Sequence, residues 1–275
     1  MADINKDIEI LNATLKGDGP YNLWRHIYPR TTENVLRVLD VVEVKEKDVF
    51  AVLSSSDILF SLIDKKAKRI DTFDINPLTY RYYYLRKWML EYGILDGKNI
   101  SYEEIHDIIN ANRSYTCLDE EESVRLWNIY VDGLEKWFFN LYNAVLFEYV
   151  PERLACSYDT NIGELVEYLK KVPLVFESID VGDINVETKR EEYDLVYASN
   201  IMDLNDHIRV QTMRDRFYNM LKDDGEVICT NLVNHPYFKF FEEQKKIFEE
   251  KFIYDELFRE RIGSQDNVYY RYIKK

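Results

Sequence analysis

The chain has 275 residues, of which 46% are apolar and 31% charged, a composition typical of a globular protein with a sizeable core. Its net charge of −14 excludes nucleic acid as the main partner, because phosphate binding requires a basic stripe. The three cysteines are widely spaced and form no CxxC pair, so neither a zinc site nor a disulfide framework is predicted. No apolar run reaches the ~18 residues of a spanning helix, and we therefore expect a cytoplasmic protein without a transmembrane segment.

Five short apolar runs, rich in β-branched and aromatic residues, predict buried strands at 48–53, 69–73, 174–178, 193–198 and 225–230. Helical patterns separate most of them, at 57–64, 77–92 and about 207–221. This alternation predicts an α/β fold with a doubly wound, mostly parallel sheet. A helix at 237–250 is followed by two further runs, near 252–258 and 268–273, which predict an antiparallel hairpin at the C-terminal edge of the sheet.

About 100 residues separate the second and third strands, far more than one crossover helix requires. The segment 101–171 has helical apolar spacing. We interpret it as part of a helical insertion, at about 95–172, within a single domain that comprises residues 1–275.

Small residues follow the first predicted strand, in the turn from Ser54 through Ser55 and Ser56 to Asp57. In open α/β sheets ligands bind outside the carboxyl ends of the strands, where helix N-termini offer free backbone N–H groups. The turn is therefore a candidate ligand contact, although Ser56 or Asp57 could serve only as a helix cap.

Asp74 ends the second strand about 20 residues after that turn, where an acidic side chain can accept hydrogen bonds from both hydroxyls of a ribose. Ile75 and Asn76 follow it and complete the candidate contact. The alternative is that Asn76 caps the next helix, which begins with Pro77, and that Asp74 is solvated.

Polar residues also follow the third and fourth strands. Asp180 or Asp183 is placed to face an adenine amine, and either could instead be a turn residue. Ser199 and Asn200 stand where the reacting end of a ligand would lie, and the Asn200 amide can both donate and accept. A turn role for Asn200 is the alternative.

The segment 21–28 is aromatic and polar, which suggests a lid over the site. Tyr21 and His26 are candidate catalytic residues within it. His26 is the best general-base candidate among the four histidines, because imidazole titrates near neutral pH. A purely structural role for His26 is the alternative.

Several of these segments together resemble the S-adenosylmethionine:diacylglycerol 3-amino-3-carboxypropyltransferase family, which makes the betaine lipid headgroup. The resemblance covers roughly residues 20 to 235 and rests on 21–24, 52–57, 73–77, 193–201 and 224–228. It implies a Rossmann-like fold of the class I methyltransferase type that binds S-adenosylmethionine through 54–57, Asp74 and the region of Ser199 and Asn200. The chain differs from the family at Ser55 and Ser56, where an Ala-Gly pair is usual, and at 230–232, where an arginine is common.

The function implied is transfer of the 3-amino-3-carboxypropyl group to a small-molecule or lipid-type acceptor, with methylthioadenosine as the by-product. Two alternatives stay open. One is an S-adenosylmethionine-dependent methyltransferase, and the other is a non-catalytic scaffold or binding protein with a degenerate cofactor site. The sequence does not indicate the oligomeric state.

Overall fold

The structure is a computed structural model that describes residues 33, 35–75, 79–80, 83, 87, 90, 162–199, 201, 207–232, 241–256, 258 and 267–275. These residues fall into two compact units. One contains 54–57 and the described residues between 79 and 173, and the other contains the described residues of 33–53, 58–75 and those from 174 onward. Most of the predicted insertion at about 95–172 lies outside the described residues, so the single-domain organisation stays a prediction.

The elements follow one another in the predicted order. The described helices are α1 (Val35–Val41), α2 (Asp57–Asp64), α3 (Ile162–Lys171), α4 (His207–Met220) and α5 (Phe241–Glu249). The described strands are β1 (Asp48–Val52), β2 (Arg69–Asp74), β3 (Val175–Ser178), β4 (Tyr193–Ser199), β5 (Leu221–Leu232), β6 (Phe252–Tyr254) and β7 (Asn267–Lys274). Two short 3-10 turns, Val181–Asp183 and Val186–Thr188, lie between β3 and β4.

The seven strands form one sheet in the order β3-β2-β1-β4-β5-β7-β6. Strands β1 to β5 pair in parallel, whereas β7 is antiparallel to both β5 and β6. The fold is therefore a mostly parallel Rossmann-like sheet with an antiparallel edge, as predicted.

Strands β1 and β4 are buried on both faces, which explains why they are continuous apolar runs in the sequence. The prediction of a buried strand at 174–178 is wrong, because β3 lies at the edge of the sheet and is partly exposed. On one face Phe50 of β1 and Phe73 of β2 stack with their ring centroids 4.6 Å apart. Met213 and Phe217 of α4 and Phe248 of α5 belong to the same buried cluster. The alternate residues of β1 and β4 point to the opposite face and are also buried, among them Val49, Ala51 and Leu195.

Strand β5 begins four residues earlier than predicted, because an irregularity widens its pairing with β4. Tyr193 pairs with Leu221, whereas Leu195 pairs with Glu226. Lys222 lies in this irregular part of β5, and its Nζ is 2.8 Å from Asp48 Oδ2 and 2.9 Å from Asp194 Oδ2. This ion-paired group joins the amino ends of β1 and β4 and is at the opposite edge of the sheet from the predicted ligand contacts.

Candidate functional site

The strand order reverses at β1, and this reversal defines the candidate site. From β1 the chain builds outward through β2 to β3 on one side, and β4 then pairs with the other side of β1. In open α/β sheets such a switch point leaves a crevice at the carboxyl ends of the two strands, where ligands bind. The relevant chain ends are Val52 for β1 and Ser199 for β4.

Asp74 is the last residue of β2, the strand beside β1 on the far side of the switch point. Its side chain is buried, and its backbone carbonyl accepts a hydrogen bond from the N–H of Ile179 at 3.0 Å, which ties the ends of β2 and β3 together. Ile75, the next residue, is exposed. The structure thus places a buried carboxylate at the carboxyl edge of the sheet, and its contact with a ribose stays a prediction.

Asp180 forms a cap, which was the alternative to an adenine contact. Its Oδ1 accepts a hydrogen bond from the N–H of Gly182 at 2.8 Å, at the start of the 3-10 turn Val181–Asp183. Its Oδ2 lies 3.5 Å from a guanidinium nitrogen of Arg209 on α4. Asp183 is exposed at the end of the same turn. The turn role of Asp180 is therefore present, and an adenine contact would involve the same carboxylate.

The serine turn that follows β1 has an unusual backbone. Ser54 has φ 45° and Ser56 has φ 69°, both in the left-handed region that favours glycine. Ser55 donates from its Oγ to Asp57 Oδ2 at 2.7 Å. Ser55, Ser56 and Asp57 are fully buried, and Ser56 Oγ has no hydrogen-bond partner in the described part of the chain. Strained backbone and an unpartnered buried hydroxyl are features typical of functional turns.

A buried polar cluster at the carboxyl ends of β4 and β5 was missed by the sequence reasoning. Glu33, just before α1, is only 6% exposed. Its carboxylate accepts hydrogen bonds from Tyr197 Oη at 2.9 Å, from Thr230 Oγ1 at 2.7 Å and from Ser199 Oγ. We call these four residues the Glu33 cluster. A glutamate ahead of a helix ordinarily indicates a solvated first turn, so no local pattern in the sequence signals this role.

The Glu33 cluster affects the ionisation of its neighbours. Burial, and then the negative charge of Glu33, raises the pKa of Tyr197 far above its ordinary value. The same two causes raise the pKa of the buried thiol Cys229. Tyr197 therefore remains a hydrogen-bond donor to Glu33 at physiological pH, and Cys229 remains a protonated, unreactive thiol.

Four of the candidate site residues, Tyr21, His26, Asn76 and Asn200, lie outside the described residues. Ser199, beside Asn200, is the last residue of β4 and has a left-handed φ of 53°. Across the described ranges no group of three or more His, Cys, Asp or Glu side chains is placed to hold a metal ion. None of the described helices is both long and apolar enough to cross a membrane.

No family model matches the sequence, and no curated protein matches it. Among solved structures, the chain is similar to a TehB-like S-adenosylmethionine-dependent methyltransferase from Corynebacterium glutamicum, with 8% sequence identity and a TM-score of 0.47. The similarity covers 96% of this chain and 93% of that chain. It is also similar to the N-methyltransferase NodS from Bradyrhizobium japonicum in complex with S-adenosyl-L-homocysteine, with 11% identity, 98% coverage of both chains and a TM-score of 0.46. A putative S-adenosylmethionine-dependent methyltransferase from Listeria monocytogenes has 7% identity, covers 88% of this chain and all of its own, and has a TM-score of 0.43.

Proposed function

We propose that this protein is an S-adenosylmethionine-dependent transferase whose cofactor binds at the carboxyl edge of the parallel sheet. The observation that carries the proposal is the buried carboxylate of Asp74 at the end of β2, beside the switch point between β1 and β4. A carboxylate at this place can accept hydrogen bonds from both hydroxyls of an adenosine ribose.

Further features of the chain fit a cofactor of this kind. The turn from Ser54 to Asp57 directly follows β1 in the chain and contains the unpartnered hydroxyl of Ser56, which has unused capacity to donate to a ligand. Ser199 ends β4 and is proposed to contact the methionyl half. Asp180 or Asp183, after β3, is the proposed adenine contact. Ile75, Asn76 and Asn200 complete the proposed cofactor set.

S-adenosylmethionine supplies a sulfonium with three electrophilic carbons, of which attack on Cγ of the methionyl chain releases methylthioadenosine and attack on the methyl group releases S-adenosylhomocysteine. The chain selects between these reactions by holding one carbon in line with the acceptor. Such positioning can contribute about 7–11 kcal/mol to catalysis. Tyr21 and Asn200 are proposed to orient the acceptor, and His26 to take its proton.

We favour aminocarboxypropyl transfer to a small-molecule or lipid-type acceptor, on the sequence resemblance carried by 52–57, 73–77 and 193–201. Methyl transfer is the second candidate, because the fold is of the class I methyltransferase type and a fold hosts more than one chemistry. A non-catalytic binding protein is the third candidate, because Ser54 and Ser56 have left-handed backbones in a turn without glycine.

Calorimetric titration of the full chain with S-adenosylmethionine tests the proposal, with Asp74→Asn as the variant and Asp71→Asn as the matched control. Both aspartates lie on β2 and are equally buried, but Asp71 faces Tyr193 at the amino end of the strand. We expect Asp74→Asn to weaken binding about 10- to 100-fold, the effect of losing hydrogen bonds to a charged group, and Asp71→Asn to leave it unchanged.

Wild-type protein that is folded and does not bind the cofactor would contradict the proposal and favour the binding-protein alternative. Equal weakening by both variants would contradict the ribose role of Asp74. Where binding is found, incubation with cofactor and candidate acceptors followed by mass spectrometry separates the two reactions, because methylthioadenosine and S-adenosylhomocysteine differ in mass.

A further inference from the structure

The Glu33 cluster uses every hydroxyl proton that it contains. Glu33 accepts from Tyr197, Ser199 and Thr230, so the three hydroxyl hydrogens point toward its carboxylate. A hydroxyl group has one hydrogen and two lone pairs. A hydroxyl that donates to Glu33 can therefore interact with a further group only as an acceptor.

Ser199 is the member of the cluster that lies at the carboxyl end of its strand, beside the switch point. Its backbone has a left-handed φ of 53°, and the pairing of β4 with β5 is irregular between Tyr197 and Ser199. A residue with a Cβ adopts this conformation only at an energetic cost, so the surrounding contacts must hold it. The hydrogen bond from Ser199 Oγ to Glu33 is one such contact.

Tyr197 and Thr230 fix Glu33 itself. Tyr197 donates to Oε2, whereas Thr230 and Ser199 donate to Oε1, so both carboxylate oxygens are held. Tyr197 is on β4 and Thr230 is on β5, two strands that pair directly. The carboxylate is therefore anchored to the sheet and has little freedom to turn away from Ser199.

We infer that Glu33 is a specificity-determining positioning residue, which orients the Ser199 hydroxyl as an acceptor for the α-ammonium group of an amino-acid ligand bound at the end of β4. The inference rests on the proposed function, in which that ligand is the methionyl half of S-adenosylmethionine. The buried negative charge of Glu33 also favours a cation over a neutral group at this place. A carboxylate ligand group is disfavoured, since it needs donors and the hydroxyl protons are already used.

The test compares three ligands by calorimetry with the full chain: S-adenosylmethionine, its desamino analogue, which lacks only the α-ammonium group, and methylthioadenosine, which lacks the aminocarboxypropyl group. We expect wild-type protein to prefer S-adenosylmethionine over the desamino analogue by about tenfold or more, as for hydrogen bonding to a charged group. Glu33→Gln should lose most of this preference and bind methylthioadenosine like wild type, because a glutamine amide can donate to Ser199 and reverse its hydrogen bond.

Asp71→Asn is the matched control, because Asp71 is also a buried carboxylate that accepts from a tyrosine hydroxyl, that of Tyr193 at 2.7 Å. It should leave the preference unchanged. If Glu33→Gln does not fold, Ser199→Ala should lose the preference in the same way.

Retention of the preference in Glu33→Gln or in Ser199→Ala would overturn the inference, as would an equal loss in Asp71→Asn. Wild-type protein that binds S-adenosylmethionine without any preference over the desamino analogue would overturn the inference and leave the proposed function standing. Wild-type protein that binds none of the three ligands would overturn both.

Discussion

From the geometry of the turn after β1, we expect the substitution Ser56→Gly to stabilise the protein. Ser56 has a left-handed backbone, with φ 69°, and a fully buried Oγ that has no hydrogen-bond partner among the described residues. Both features lower stability. The left-handed conformation costs a residue with a Cβ roughly 1–2 kcal/mol, and a buried unpartnered hydroxyl costs about 1–3 kcal/mol.

Ser56→Gly removes both costs and adds two smaller ones. Glycine loses about 0.5–1 kcal/mol more backbone entropy on folding, and the lost side-chain carbon forfeits about 0.8 kcal/mol of burial. The net expectation is that the free energy of unfolding rises by about 1–3 kcal/mol. Ser56→Ala, which removes the hydroxyl and keeps the left-handed cost, should show a smaller gain.

Ser55→Gly is the matched control in the same turn. Ser55 has no left-handed backbone, and its hydroxyl donates to Asp57 at 2.7 Å. Its replacement should therefore lower the free energy of unfolding by about 2 kcal/mol. The measurement is urea unfolding followed by both circular dichroism and tryptophan fluorescence, because coincident curves establish a single transition.

A Ser56→Gly variant that is less stable than wild type would refute the reasoning. The reasoning would also be refuted if Ser56→Gly and Ser55→Gly changed the free energy of unfolding in the same direction. Since the Ser56 hydroxyl is also a proposed cofactor contact, we expect Ser56→Gly to bind S-adenosylmethionine more weakly while it gains stability. Such a trade-off between stability and activity is common at functional sites.

Two further predictions concern residues away from the proposed site. Lys66 is exposed, follows α2 and has a left-handed φ of 61°, and its N–H donates to the carbonyl of Ile63. Glycine is preferred at such a left-handed helix end, so Lys66→Gly should raise the free energy of unfolding in urea by about 0.5–1 kcal/mol. No gain over a Lys66→Ala control would contradict this. Burial acts to raise the pKa of Asp48, but the hydrogen bond and charge of Lys222 and the charges of Lys68 and Arg69 lower it overall, below its ordinary 3.8. The Asp48 contribution to stability is therefore present above the unfolded-state pKa near 4 and lost as the pH falls through the folded-state pKa. Lys222→Met should weaken this pH dependence in urea unfolding between about pH 5 and pH 2, and an unchanged dependence would contradict it.

The strands and their pattern could be predicted from the sequence because each is a local property. A parallel strand covered on both faces is a continuous apolar run, such as Val49 to Leu53 or Leu195 to Ala198, and these runs coincide with β1 and β4. The placement of Asp74 at the end of β2 was also predicted, because Asp74 directly follows the strand-like run 69–73. The antiparallel edge was predicted from two further strand-like runs after the last helix, and the antiparallel pairing of β6 with β7 confirms it.

Strand neighbours and long-range hydrogen bonds were decided only by the tertiary structure. Strand β7 lies between β5 and β6, which is a matter of pairing between segments distant in the chain. Glu33 binds hydroxyls that are 164, 166 and 197 residues away along the chain. A periodicity of two or of 3.6 residues indicates which face of an element is buried, but it does not indicate which distant group will meet that face. The buried carboxylate of Glu33 was therefore visible only once the chain had folded.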